Sequence, residues 1–129
     1  MSLPTILIVE DDVFLHRVLR FIFKEYDLMI TTSVFEALPY LETVAALDLV
    51  IVDMLMPGLS GIDFMLLVKE KGLDFCPVYV LSEVAEDELI RGILKAGANR
   101  FYNKSKDMIK LREDVKRLFT AQQTVVATT

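Results

Sequence analysis

The sequence contains one cysteine, four prolines, five glycines and one histidine in 129 residues. The lone Cys76 cannot form an internal disulfide. It fits a reducing compartment and, at the start of an apolar run, reads as a small buried hydrophobe rather than a nucleophile. So little proline and glycine, alongside 53% hydrophobic and 26% charged residues, excludes a disordered chain. A membrane-length apolar run is also missing: Ile6 to Val9 is broken by Glu10, Asp11 and Asp12, and no basic region precedes it. Neither a signal peptide nor a membrane span is expected, and the protein reads as cytoplasmic. The net charge of −5 argues against nucleic acid as a direct ligand. Arg100, Lys104, Lys106, Lys110, Arg112, Lys116 and Arg117 make the C-terminal part locally basic, which reads as a solvated helix face. There is no internal repeat or low-complexity segment.

What is present is a set of four apolar runs that each stop on a polar group. Thr5 to Val9 ends on Glu10, Asp11 and Asp12; Leu47 to Val52 ends on Asp53; Pro77 to Leu81 ends on Ser82; Arg100 to Asn103 ends on Lys104. Helix-length segments alternate with these runs, which predicts an α/β fold with a parallel sheet covered on both faces. Asp12 is placed to cap a helix through Tyr26, whose apolar set of Phe14, Leu15, Val18, Leu19, Phe21, Ile22 and Phe23 is wider than one sheet needs. Part of that helix is either a docking surface or simply an oily core face. A strand over Leu28 to Thr31 leads to Ser33 as cap of a helix to about Glu42, which Pro39 should kink or shorten. Pro57, Gly58 and Gly61 predict a loop, Ser60 a cap for Ile62 to Lys71, and Gly72 its stop. A fourth helix spans about Ala85 to Ala96, with acids first, Lys95 last and Gly97 as stop. The last helix runs from about Asp107 to Phe119. Residues 1–120 then form one domain, and 121–129 read as a frayed tail or the start of a linker to an absent effector domain.

In an open parallel sheet, ligands bind at the carboxyl ends of the strands, where these polar groups gather. Carboxylates of Glu10, Asp11 and Asp53, from two neighbouring central strands, repel one another unless a cation joins them. All-oxygen ligands select a hard divalent ion, Mg²⁺ or Mn²⁺. Lys104 can reach a phosphoryl oxygen or pair with Asp53, and the Ser82 hydroxyl can hydrogen-bond a phosphoryl group on Asp53. Each of these residues alone reads as surface, turn or cap; together, in this order, they predict phosphoryl transfer. His16, on the polar face of the first helix with no second ligand near it in sequence, is not read as a metal or phosphotransfer residue. Met54 and Met56 flank the Asp53 loop and read as core that shields it.

Over essentially its whole length the chain resembles the chemotaxis-regulator-like receiver domain of two-component response regulators. The resemblance is carried by Ile6 to Asp12 (ILIVEDD), Leu49 to Gly61 (LVIVDMLMPGLSG), Val78 to Ser82 (VYVLS), Ala96 to Ala98 (AGA) and Phe101 to Lys104 (FYNK). It implies a doubly wound, flavodoxin-like sheet in the order 2-1-3-4-5, with Asp53 as phosphoacceptor. It further implies Glu10 and Asp11 as the acidic pair for the metal and the Leu55 carbonyl as a third protein ligand. Ser82 would be the switch hydroxyl, Lys104 the phosphoryl-binding lysine and Phe101 the switch aromatic. The implied partners are a sensor histidine kinase or histidine phosphotransfer protein, and an effector reached through the fourth helix, last strand and last helix. Mixed charges on that face are compatible with a homodimer without specifying one. The module would assist its own phosphorylation rather than turn over an external substrate.

Three positions depart from the pattern. Ser105 stands where the family usually has a cis proline, so the loop carrying Lys104 is open to rearrangement. Glu83 replaces a small residue, and Leu55 offers no polar group to orient water, which together predict slow autodephosphorylation and poor use of small phosphodonors. A pseudo-receiver, kept as an unphosphorylated interaction module, is the main alternative. An Asp53-nucleophile hydrolase lacks a second acid two residues on, and a flavin domain lacks a phosphate loop after the first strand.

Overall fold

The computed structural model describes residues 3–43, 47–56, 58, 60–72, 76–83 and 86–128. The elements alternate: β1 (Thr5–Val9), α1 (Val13–Ile22), β2 (Asp27–Thr31), α2 (Val34–Thr43), β3 (Leu49–Asp53), α3 (Gly61–Glu70), β4 (Val78–Ser82), α4 (Asp87–Lys95), β5 (Arg100–Asn103) and α5 (Met108–Thr128). All strand pairs are parallel, in the order β2-β1-β3-β4-β5. This is the predicted doubly wound sheet.

Strand residues point alternately to the two faces, so each apolar strand feeds two cores. Leu7, Val9, Val50, Val52, Val78 and Val80 meet Ala37 of α2, Phe64 and Val68 of α3, and Ile93 of α4. On the other face Ile6, Ile8, Leu49, Ile51 and Leu81 meet Leu19 of α1 and Leu111, Val115 and Phe119 of α5. Full burial of β1, β3 and β4 brings their carboxyl ends to one rim, with Val9 beside Val52, Asp53 beside Leu81 and Ser82 beside Asn103.

Several boundaries differ from the sequence reading. Helix α1 stops at Ile22, not Tyr26, because Phe23 turns out of the helix (φ −114°, ψ 23°) and is fully buried. Tyr26 stacks between it and α5, with ring centroids 6.2 Å from Phe23 and 5.0 Å from Phe119. Helix α2 runs through Pro39 without being shortened, and the Ser33 Oγ accepts from the Glu36 amide at 3.1 Å as a cap. Strand β3 begins at Leu49, since Asp48 instead accepts the Thr5 N–H on its carboxylate at 2.8 Å. Helix α5 continues to Thr128 rather than ending at Phe119, because Ala121, Gln122 and Gln123 are helix formers and no Gly or Pro interrupts them. The start of α4 at Asp87 follows Ala85, which, like Pro57, lies outside the described residues. Gly72 and Gly97 take positive φ (68° and 119°) at the ends of α3 and α4, as their placement as stops predicts.

The surplus of apolar residues on α1 is not absorbed by the core. Phe14 (80% exposed), Val18 (44%) and Phe21 (69%) form a solvent-facing stripe at helical spacing. No helix among the described residues is long and apolar enough to cross a membrane.

Candidate functional site at the carboxyl end of the sheet

Adjacent strands β1 and β3 bring Glu10, Asp11 and Asp53 together, and one carboxylate oxygen of each lies within 4.8 Å of the others. Glu10 and Asp53 are buried, while Asp11 is exposed. The Glu10 amide continues the ladder to the Thr31 carbonyl at 3.0 Å, and its Oε2 accepts from the Asp12 N–H at 3.0 Å. Asp12 then caps α1, its Oδ1 accepting from Phe14 N (2.9 Å) and Leu15 N (3.4 Å). Asp53 Oδ1 accepts from Leu55 N at 3.1 Å. The loop after Asp53 is cinched by the Gly61 N–H on the Met54 carbonyl at 2.8 Å, and a Cβ at Gly61 would lie 2.8 Å from Met54 Cα. Only glycine permits that approach.

Lys104 crosses from β5 and places its Nζ 2.9 Å from Asp53 Oδ2 and 2.6 Å from Glu10 Oε1. The first contact is a hydrogen bond; the second is an ion contact without hydrogen-bond alignment, so the buried Oε1 has no aligned donor. Burial pushes the Glu10 carboxyl up to about 7, against the opposing pull of Lys104. Burial also raises Asp53, with Lys104 and the Leu55 N–H acting the other way. Two buried acids sharing one ammonium are short of positive charge. Three carboxylates served by a single ammonium make an all-oxygen donor set that suits a hard divalent cation, which Glu10, Asp11 and Asp53 could hold.

The Lys104–Ser105 bond is trans, and Lys104 nevertheless points at Asp53. The turn is closed by Asn103, whose Oδ1 accepts from Ser105 N (2.9 Å) and Lys106 N (3.0 Å). Sequence reasoning missed Asn103, although an Asn at a strand end can hydrogen-bond the backbone two residues on and so marks a turn. His16, read as lying on the polar face of the first helix, is half-buried and sets a ring nitrogen on the Glu10 carbonyl oxygen, a contact the sequence did not reveal. Ser82 is buried at the end of β4, and its carbonyl accepts the Lys104 N–H at 3.0 Å. Glu83 follows it at the surface. Phe101 is half-buried, packs against the core beneath α4 and borders a cavity of about 300 Å³ with Ile90, Leu94, Arg100 and Asp114. Tyr102 faces the opposite core, buried, with its hydroxyl donating to Asp114 Oδ2 at 2.8 Å. Met54 and Met56 are buried behind the Asp53 loop, and Leu55 is exposed beside it. Cys76 is half-buried, and burial pushes its thiol up to about 11, away from nucleophilic use.

Chemically, the rim offers a carboxylate nucleophile with one oxygen tied to a backbone N–H and the other to an ammonium. That arrangement suits transfer of an anionic group to Asp53.

The family description of the response regulator receiver domain matches residues 6–116. A two-component response regulator of Oryza sativa subsp. japonica is 28% identical over 114 residues, covering 86% of this chain and 94% of that protein. A cyclic di-GMP phosphodiesterase of Thermotoga maritima is 31% identical over 111 residues, covering 84% of this chain and 29% of that protein. The chain therefore spans less than a third of the phosphodiesterase it matches. The receiver domain of a Francisella response regulator superposes with a TM-score of 0.82 at 25% identity, covering 92% of this chain and 98% of that one.

Proposed function

The chain belongs to the response regulator receiver family, and from that premise we propose that it is a phosphorelay switch that takes a phosphoryl group onto Asp53 from a phosphohistidine of a sensor kinase or histidine phosphotransfer protein. The observation that carries this reading is Asp53 itself: buried at the rim, bonded to Lys104 at 2.9 Å, and within 4.8 Å of two further carboxylates. Glu10, Asp11, Asp53 and the Leu55 carbonyl would hold Mg²⁺ or Mn²⁺, which when bound neutralises the carboxylates and the phosphoryl oxygens. An Asp53 oxygen attacks phosphorus as the P–N bond breaks; the imidazole nitrogen keeps the electron pair and the aspartyl ester oxygen gains the phosphoryl group. Lys104 stabilises the charge on the equatorial oxygens. As an acceptor that ends the step modified, the domain is a signalling module rather than a turnover enzyme.

Output follows from what the new oxygens attract. Ser82 is drawn toward them, and Phe101, bordering the cavity beside α4, shifts inward, altering the face of α4, β5 and α5 that an effector reads. The phosphodonor would approach over α1, whose exposed stripe of Phe14, Val18 and Phe21 starts three residues from Asp11. The apolar Leu55, which presents no water for attack, supports slow loss of the phosphoryl group, and the exposed anion of Glu83 supports poor use of small phosphodonors.

Intact mass after incubation with an acyl phosphate or a phosphorylated kinase, with and without Mg²⁺, tests the reading. One phosphoryl adduct that needs the metal and disappears in Asp53→Asn is expected. An adduct that persists in the variant, or none from either donor, would overturn it, the latter in favour of a constitutive interaction module.

A further inference from the structure

We propose that Asn103 is a positioning residue for Lys104, closing the turn after β5 through its carboxamide and so aiming the amine at Asp53. The proposal rests on the phosphoacceptor reading for its functional consequence and on the turn geometry for its substance.

Beyond the last rung of β5 the chain leaves the sheet, and the N–H groups of residues 105 and 106 lose any ladder partner. Asn103 supplies one. Its Oδ1 accepts from Ser105 N at 2.9 Å and Lys106 N at 3.0 Å, so a single side-chain oxygen folds three residues back over their own strand end. The same residue is locked from the other direction: Asp107 Oδ2 accepts the Asn103 N–H at 2.9 Å, and the Asp107 N–H donates to the Asn103 carbonyl at 3.0 Å. Its Nδ2 donates, more weakly at 3.4 Å, to the Glu83 carbonyl, tying the turn to the residue after Ser82. Asn103 is only 9% exposed, so these bonds have little competition from water.

Lys104 sits inside this closed ring, and its own N–H is held by the Ser82 carbonyl at 3.0 Å. A lysine side chain loses rotamer entropy when it is held in one place, so a loose backbone would spread the amine over many positions. With the backbone fixed, the amine stays between Glu10 and Asp53 with its side chain 11% exposed. An alanine at 103 frees two amides to water and lets the turn relax, which moves the amine without touching a carboxylate.

Two readouts separate this role from a merely structural one. In Asn103→Ala, modification of Lys104 by an amine-reactive reagent, measured by peptide mass against Lys116 as an internal standard, should rise about 5-fold as the side chain escapes its ion contacts. Phosphorylation of Asp53 by an acyl phosphate should fall about 10-fold, as a small misplacement of a charge-stabilising group does. Asn103→Ser, which keeps an oxygen able to accept from the following amides, should restore both. In a Lys104→Ala background the further change to Asn103→Ala should cost less than about 2-fold in phosphorylation, because the two act as a unit. If Asn103→Ala does not fold, Asp107→Ala removes the second anchor of the same turn and should raise Lys104 labelling likewise. Unchanged labelling in the folded variant, or full additivity with Lys104→Ala, would overturn the proposal. A wild-type protein that no donor phosphorylates would overturn the phosphoacceptor reading instead, and the labelling result would still decide the role of Asn103.

Discussion

The turn after β1 is held by two acidic side chains, Glu10 Oε2 accepting from the Asp12 N–H and Asp12 Oδ1 from the Phe14 and Leu15 amides. The turn after β5 is held by side chains, with Asn103 and Asp107 enclosing Lys104. The first delivers negative charge and leaves Asp11 exposed; the second delivers the positive charge and draws it in to 11% side-chain exposure. The difference teaches how the site balances itself. Of its acids only Asp11 stays exposed, whereas its lysine is a fixed cation that spans Glu10 and Asp53 together.

The largest effect should come from removing the fixed charge. Lys104→Ala leaves two buried carboxylates facing each other with no cation, a loss of about 3–5 kcal/mol for an orphaned buried charge. Urea melts at pH 8 in chelator should show that loss. Saturating Mg²⁺ should return much of it, because the ion takes over the neutralisation. Equal stability of variant and wild type in chelator would mean that Lys104 does not compensate the acids, and the contrast between the two turns would fail.

A smaller effect is expected from pH. The Glu10 carboxyl rises from 4.5 to about 7 on folding, so between those values the folded protein keeps a proton that the unfolded chain has lost. Stability is therefore full below about pH 4.5, falls as pH climbs to 7, and levels off, a change on the order of 3 kcal/mol. The raised carboxyl of Asp53 acts in the same direction, and the pair titrates as a unit. Lys104 is also raised, so its share is lost only far above this window. Metal-free melts at pH 5 and 8 measure the fall, and saturating Mg²⁺ should flatten it, since the ion binds the deprotonated acids. A rise in metal-free stability from pH 5 to 8 would contradict the burial argument.

Much of this was legible beforehand because strand ends are marked by chemistry. An apolar run stopping on Asp53 or Ser82 needs its buried polar group to have company, and the covered parallel sheet follows from the alternation of runs and helices, while its strand order was implied by the family resemblance. What escaped were contacts set by tertiary packing. Phe23 left α1 to fill the second core, and Asp48 stayed outside β3 and tied down Thr5 with its carboxylate. Whether the oily surplus of α1 was core or surface depended on how much of it Leu19 and Phe23 could bury alone, which no periodicity states. Lys104 points at Asp53 without a proline after it, and the turn beside it is closed by Asn103 on the amides of residues 105 and 106, contacts that sequence reasoning did not assign.

The smallest effect isolates the helix cap in the turn after β1. Asp12→Ala deletes the carboxylate that accepts from Phe14 N and Leu15 N but keeps the peptide N–H that donates to Glu10 Oε2. The loss of an N-cap should cost about 1 kcal/mol in a urea melt, by fraying the first turn of α1. Glu10 keeps its backbone donor, and Asp12 contributes nothing to the three-carboxylate cluster, so Mg²⁺ affinity and Asp53 phosphorylation at saturating metal should stay within about 2-fold of wild type. A large loss of metal affinity in this variant would show that the cap, and not the N–H, fixes Asp11.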